Sequence, residues 1–272
     1  MQEDMGECSP EFDTFAGIRE SYHSTARQMR KSLPKKHILL VSTSTTHGTG
    51  YLEHCQNEIK ELLGDHQSIL FIPYARPGGI SHTDYTAKAR EAFEAMGIKL
   101  SGVHEAENAI AAVEQAEAVF IGGGNTFLLL RQLYANKLIE PLQKRVEQGM
   151  PYMGTSAGTN VAGKTIGTTN DMPIVFPKSF DALQLVPFNI NPHYLDPLPD
   201  STHMGETRET RIQEFHIHNR QPVVGLREGS MLRIEGERIN LLGPHPARIF
   251  LQGQPAMEFK PGDDINFLME AY

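Results

Sequence analysis

The sequence predicts an α/β fold: a mainly parallel sheet flanked by helices, with a strand-rich C-terminal part. Two observations carry this expectation. Between residues 37 and 153, apolar runs of strand length alternate with segments of helical period, the pattern of parallel strands joined by crossover helices. After residue 222, short strand-like runs follow one another with only turns between them.

Residues 37–43 (HILLVST) are a continuous apolar run, as a strand buried on both faces requires. In 51–63, Leu52, Cys55, Ile59, Leu62 and Leu63 recur close to 3.6-residue spacing and predict a helix. Residues 68–73 form the next strand and 84–96 the next helix. Strands at 98–103 and 118–121 bracket a short helix over 109–115. Helices at 126–134 and 138–148 then lead to a strand at 150–153. Further on, 172–175 and 184–190 are strand candidates, and 206–218 reads as a helix. The last strands are 223–227, 230–235, 238–242, 248–252 and 256–259, with Glu235-Gly236-Glu237 as a hairpin turn. With no internal repeat, one domain over 37–272 is the economical reading.

Residues 1–36 are polar, lack periodicity and shift from acidic to basic, which suits a flexible extension or a packing arm on the domain. The chain has 272 residues, 39% hydrophobic and 21% charged, a composition that supports a well-packed core. A net charge of -8 argues against a nucleic-acid partner, because phosphate binding needs a basic surface. No apolar run is long enough to span a membrane, and no signal-peptide pattern opens the chain. Two cysteines, Cys8 and Cys55, suggest no disulfide framework, and a cytoplasmic location is expected.

Gly154-Thr155-Ser156-Ala157-Gly158 falls where a short apolar strand runs into a helix. A serine on such a turn needs glycine on either side, since a Cβ there would strike neighbouring backbone. The turn presents the hydroxyl to a substrate and leaves the Ala157 amide free at a helix start to donate to an oxyanion. Ser156 is therefore a candidate nucleophile that needs a base and an orienting acid. His193, after Asn191-Pro192 at a strand end, is the candidate base, because sites in open α/β sheets form beyond the carboxyl ends of strands. His216 and His218, two apart on a helix, face different sides and make no metal pair. Two acids compete for the third place: Asp171, before Met172-Pro173, and Glu228, at the end of strand 223–227. Gly122-Gly123-Gly124-Asn125 closes a strand and opens a helix; it lacks the endings of nucleotide-binding loops and suits an oxyanion contact through Gly124. Arg208 or Arg211, in a helix start with charges of both signs, has the fork to hold a carboxylate, although a solvated helix face is the commoner meaning of such a run.

Taken in order, Gly122–Phe127, the 154–160 turn, Thr168-Thr169-Asn170-Asp171-Met172-Pro173-Ile174, Ile190-Asn191-Pro192-His193 and Gly205-Glu206-Thr207-Arg208 resemble peptidase family S51, the peptidase E or α-aspartyl dipeptidase family. The resemblance covers 37–272 and leaves out the extension. It implies a fold like that of class I glutamine amidotransferases, flavodoxin-like in layout, with serine in place of their cysteine. It implies hydrolysis of dipeptides, and a few short amide analogues, with an N-terminal aspartate, and no metal or cofactor. A small peptide substrate is then the expected partner, and the chain a monomer or homodimer. Carried over residue by residue, Ser156 becomes the nucleophile, His193 the base and Glu228 the third member, with Asp171 the runner-up acid. Gly124 and Ala157 become the oxyanion hole, and Arg208, Asn125 and Glu206 the substrate contacts. The family often has Gly-Trp-Ser where this chain has Gly154-Thr155-Ser156. The rivals are a cyanophycinase-like hydrolase of aspartate–arginine polymer and a non-catalytic binder of aspartyl compounds on the same fold.

Overall fold

The strand β1 (His37–Val41) is buried on both faces. Ile38 and Leu40 enter one core, Leu39 and Val41 the other, which is why its sequence is apolar without alternation. The computed structural model describes residues 36–197 and 205–270. The expected extension over 1–36 lies outside the described residues apart from Lys36, whose Nζ donates to the Leu185 carbonyl at 3.0 Å.

A seven-stranded sheet runs in the order β3 (Lys99–Gly102), β2 (Ser68–Ile72), β4 (Val119–Ile121), β5 (Tyr152–Thr155), β1, β8 (Met231–Glu235), β9 (Arg238–Leu242). Its first five strands are mutually parallel. The β8–β9 hairpin adds to β1 in antiparallel sense. That hairpin turns at Gly236, with φ 64°, as the Glu235-Gly236-Glu237 signal predicts. Four strands form a second sheet in the order β11 (Met257–Phe259), β10 (Ala247–Phe250), β7 (Val223–Leu226), β6 (Asn189–Pro192). Ile190, Val224, Leu226 and Ile249 of the second sheet share one apolar cluster with Ile38 and Leu40 of the first. The C-terminal strands thus divide between two sheets around a common core.

Helices cover both faces of the large sheet. On one side lie α1 (Gln56–Leu63), entered through a 3₁₀ turn at Glu53–Cys55, and α2 (His82–Glu94), capped by Ser81. They bury Ile59, Leu62, Tyr85, Ala89 and Phe93 against Leu39 and Val41. On the other side α3 (Ala109–Gln115), α4 (Thr126–Ala135) and α5 (Ile139–Glu147) bury Val113, Leu130, Leu133, Leu142 and Val146. The mixed α/β layering expected from the alternation is present, with its carboxyl strand ends collected at one edge.

Two strand candidates fail. Residues 172–175 form no strand: Met172 and Ile174 are exposed, as is Phe176 beyond them, and no neighbouring strand offers a ladder. Of 184–190, only the last two residues join a strand, β6. Gln184 has φ 52°, and the amides of Leu183, Gln184 and Leu185 donate to Val161, Gly163 and Ala162. That segment's burial comes from packing on the turn after residue 160, so its apolarity carried no sheet register.

Candidate active site

β5 ends in a turn at Ser156, whose φ 53° and ψ -110° lie outside the ordinary regions for a residue with a side chain. Backbone in such a region costs about 1–3 kcal/mol and persists only where the surroundings enforce it. Here the enforcing contacts are close. A Cβ on Gly154 would come within 2.5 Å of the Gly158 carbonyl oxygen, and one on Gly158 would run into the Ile121 carbonyl. The short helix α6 (Ala157–Asn160) then starts directly under the serine, as the glycine spacing predicts. Thr159 donates its hydroxyl to the Val41 and Gly154 carbonyls at 2.7 and 2.8 Å and ties the turn to β1 and β5.

His193 follows β6 and also has a positive φ, 54°. Its Nε2 is 2.9 Å from Ser156 Oγ and its Nδ1 is 2.7 Å from Glu228 Oε1. A hydrogen-bonded row Ser156–His193–Glu228 therefore spans the ends of β5, β6 and β7, across both sheets. Glu228 is about half exposed, with a side-chain accessibility of 53%, so water shares its charge.

Asp171 takes a different place. Its Oδ2 accepts the Thr126 amide at 2.7 Å and the Thr169 hydroxyl at 3.2 Å. It caps α4, where a carboxylate also meets the positive end of the helix dipole. Asn125 caps the same helix: its Oδ1 accepts the Leu128 amide at 3.0 Å, while its Nδ2 donates to the Met172 carbonyl at 2.9 Å. Both ends of Asn125 are thus used inside the chain. Residues 168–171 are strapped to β6, with Asn191 donating to Asn170 Oδ1 at 2.9 Å and Thr168 to the Ile190 carbonyl at 3.0 Å.

These segments wall a pocket of about 220 Å³ beside Ser156, lined by Ala157, Asp171, His193 and Arg208 among others. Arg208 opens α7 (Arg208–His218), which is capped by Thr207. Among the described residues it has no hydrogen-bond or ion-pair partner. Burial first, then the neighbouring Arg211, pull its pKa below the usual arginine range, and Asp171 and Glu228 pull it back; a guanidinium stays charged regardless. Glu206 lies instead beside Arg211, 3.8 Å from its Nε, with both side chains exposed. Gly124 has φ 146°, and a Cβ on it would collide with Ala75. Neither its amide nor that of Ala157 donates to a backbone carbonyl among the described residues. His216 is buried with Nε2 on the Gln221 carbonyl at 3.1 Å, while His218 is exposed, as their spacing predicts. Among the described residues no group of three or more His, Cys, Asp or Glu side chains has the arrangement of a metal site.

Sequence reasoning missed the parts that hold this row in place. Ser42 Oγ accepts the His193 amide at 2.9 Å and donates to the Leu226 carbonyl at 2.8 Å, bridging β6 and β7. Arg227 grips Asp196 through two 2.8 Å bonds and also holds Glu258, so the loops carrying His193 and Glu228 are clamped together. Its fork keeps the Asp196 carboxyl below the usual range. The loop beyond Asp196, over 198–204, lies outside the described residues.

Serine, histidine and glutamate thus stand in hydrogen-bonded series at strand ends of the two sheets, an arrangement that serine hydrolases on α/β scaffolds also use. The family described as Peptidase family S51 matches residues 38–242, and the chain belongs to it. It is 51% identical to Peptidase E of Streptomyces coelicolor over 86% of this chain and 95% of that protein. It is 46% identical to a Drosophila melanogaster protein called "Probable alpha-aspartyl dipeptidase", over 86% of this chain and 98% of the other. Among solved structures, a peptidase from an acI-B1 Actinobacterium shares the fold with a TM-score of 0.65 at 17% identity, covering 85% of this chain and 96% of that one. The chain is accordingly a peptidase. Among the described residues no helix is long and apolar enough to cross a membrane.

Proposed function

We propose that this peptidase is a serine-type dipeptidase for substrates with an N-terminal aspartate. The observation that carries the reading is the guanidinium of Arg208 on the pocket beside Ser156, without a hydrogen-bond or ion-pair partner among the described residues. A partly buried cation beside the nucleophile favours an acidic side chain on the acyl residue, since any other substrate leaves that charge uncompensated. The name of the Drosophila relative supports the same substrate. A pocket of about 220 Å³ has room for the acyl end of a short peptide.

In this reading His193 Nε2 takes the Ser156 Oγ proton as the oxygen attacks the aspartyl carbonyl. The Gly124 and Ala157 amides hold the oxyanion. Collapse of the tetrahedral intermediate breaks the C–N bond, and His193 returns the proton to the departing amine. Water, deprotonated by His193, then cleaves the aspartyl ester and restores Ser156. Glu228 orients the ring and balances the imidazolium. Asn125 and Glu206 act indirectly, Asn125 through the α4 start and Glu206 through Arg211.

The test is product analysis with Asp-Leu, Glu-Leu, Leu-Leu and isoaspartyl-Leu, wild type beside Ser156→Ala. Cleavage of Asp-Leu alone, lost in the variant, is expected; equal cleavage of Leu-Leu would overturn the aspartate assignment. A second experiment separates the acids. Removing the carboxylate charge from a buried triad acid costs about 10⁴-fold in kcat; water at the half-exposed Glu228 takes over part of that role. Glu228→Gln is therefore expected to lower kcat on the order of 10²-fold. Asp171→Asn keeps an acceptor for the Thr126 amide; it should hold kcat near wild type and lower stability by about 0.3–1 kcal/mol. Steady-state kinetics with thermal melts checks both, and the opposite order of losses would hand the orienting role to Asp171.

A further inference from the structure

The row through Ser156 has a second side. The Arg208 pocket lies against α4 and α6, on the face that buries Phe127 and Ala157. Across the Gly122–Gly124 turn, on the face that buries Leu39 and Val41, sits Tyr85. Its hydroxyl donates to the Gly123 carbonyl at 3.2 Å, and a Cβ on Gly122 would come within 2.6 Å of it. A Cβ on Gly123 would in turn reach 3.0 Å from Ser156 Cβ. Tyr85 is thus one residue's breadth from the serine, across the glycine turn.

Over the Tyr85 ring lies the guanidinium of Arg76, with Cζ 4.7 Å from the centroid. Arg76 follows Ala75, whose carbonyl accepts the Asn125 amide at 2.7 Å and packs against Gly124. The glycine turn and the arginine are therefore held by the same short segment. Arg76 Nε is buried without a hydrogen-bond partner, and no carboxylate pairs with the guanidinium among the described residues. Lys88 reinforces the positive field from the neighbouring Tyr51 ring, 4.9 Å from its centroid. A stacked, half-buried and unpaired guanidinium is the form in which arginine receives a planar carboxylate through two parallel hydrogen bonds.

We propose that Arg76, stacked on Tyr85, binds the α-carboxylate of the leaving amino acid and makes the enzyme a reader of free dipeptide termini. This rests on the aspartyl reading above and deepens it. The acyl side chain and the leaving amine occupy different corners of the tetrahedral carbon, so an acyl group held toward Arg208 leaves the Gly123 side, with Tyr85 and Arg76 beyond it, for the amine. In a dipeptide the leaving residue carries its carboxylate one carbon from that amine. Two arginines, one at each end, would then measure the substrate's length by charge: a longer peptide puts an uncharged amide where Arg76 expects an anion.

The test compares kcat/KM for Asp-Leu with that for Asp-leucinamide, which differ only in the terminal charge. The wild-type ratio is expected to favour the acid at least tenfold. Arg76→Ala is expected to collapse the ratio at least tenfold, and Arg76→Lys to leave it intermediate, because a point charge lacks the fork. Each ratio is read within one protein preparation, so a loss of folded enzyme cancels. A wild type indifferent to the terminal charge, or an unchanged ratio in Arg76→Ala, would overturn the proposal while leaving aspartyl cleavage standing. Failure of the wild type to cleave either compound would instead remove the aspartyl reading, and the carboxylate subsite with it.

Discussion

Ser156→Ala is expected to lower kcat for Asp-Leu by roughly 10⁶-fold, the scale seen when a serine nucleophile is removed from a working triad. Among the described residues Ser156 Oγ has one hydrogen-bond partner, His193 Nε2 at 2.9 Å, and that imidazole is already engaged at Nδ1 by Glu228. Removing the oxygen deletes the acyl-enzyme and leaves two members with nothing to activate. The remaining rate would come from binding and the oxyanion donors alone, which act on water poorly. The alanine methyl fits the space of the serine Cβ, and no hydrogen bond of the serine side chain other than that to His193 is lost. Thermal stability should stay near wild type or rise slightly, because the unusual φ of 53° is kept by its glycine neighbours and not by the hydroxyl. Single-turnover kinetics with a melt in parallel checks both halves; surviving turnover in folded protein would transfer the nucleophile role elsewhere.

Arg208→Ala is the second large effect. It should reduce kcat/KM for Asp-Leu by about 2–5 kcal/mol of lost transition-state binding, the range for truncating one partner of a desolvated charge pair, or on the order of 30- to 4,000-fold. Little stability should be lost, since Arg208 holds no partner among the described residues and sits at the first turn of α7, which Thr207 caps independently. Removing it should even relieve the repulsion from Arg211. The specific signature is a change of selectivity: the ratio of Asp-Leu to Leu-Leu cleavage should fall steeply, because the variant no longer has a half-buried charge to leave unsatisfied. Arg208→Lys should recover a fraction, limited by its shorter, unforked head. Steady-state rates on the two substrates decide it. Unchanged Asp-Leu kinetics would pass the role to another cation, Arg211 being next in the same helix but paired with Glu206 and exposed.

Much of the fold was legible because burial on two faces and helical periodicity write themselves into short stretches of chain. The run at 37–43 is apolar throughout because Ile38 and Leu40 face one core and Leu39 and Val41 the other. The turn at Ser156 was legible for a similar reason: Gly154 and Gly158 answer to steric contacts within four residues of one another and with one adjacent strand. Where the reading failed, local chemistry was ambiguous. Residues 172–175 have a strand's apolar content, yet Met172 and Ile174 stand exposed, while Leu185, Val186 and Phe188 are buried without any ladder. Apolarity marks contact with something, and only pairing partners turn it into a strand.

Sequence by itself determined the α/β class, the strained serine turn and the identities of the histidine and acids in play. It left Asp171 and Glu228 competing on residue chemistry, since both are carboxylates near strand or helix ends, and the family resemblance alone ranked them. The tertiary structure separated their places, putting one on the Thr126 amide at 2.7 Å and the other on His193 Nδ1 at 2.7 Å. It also assigned β6 and β7 to a second sheet, joined them through Ser42 and clamped their loops with Arg227 and Asp196. Such contacts join residues from 31 to 184 positions apart. Their geometry depends on how two sheets share a core, a property of packing that no single stretch of the chain contains.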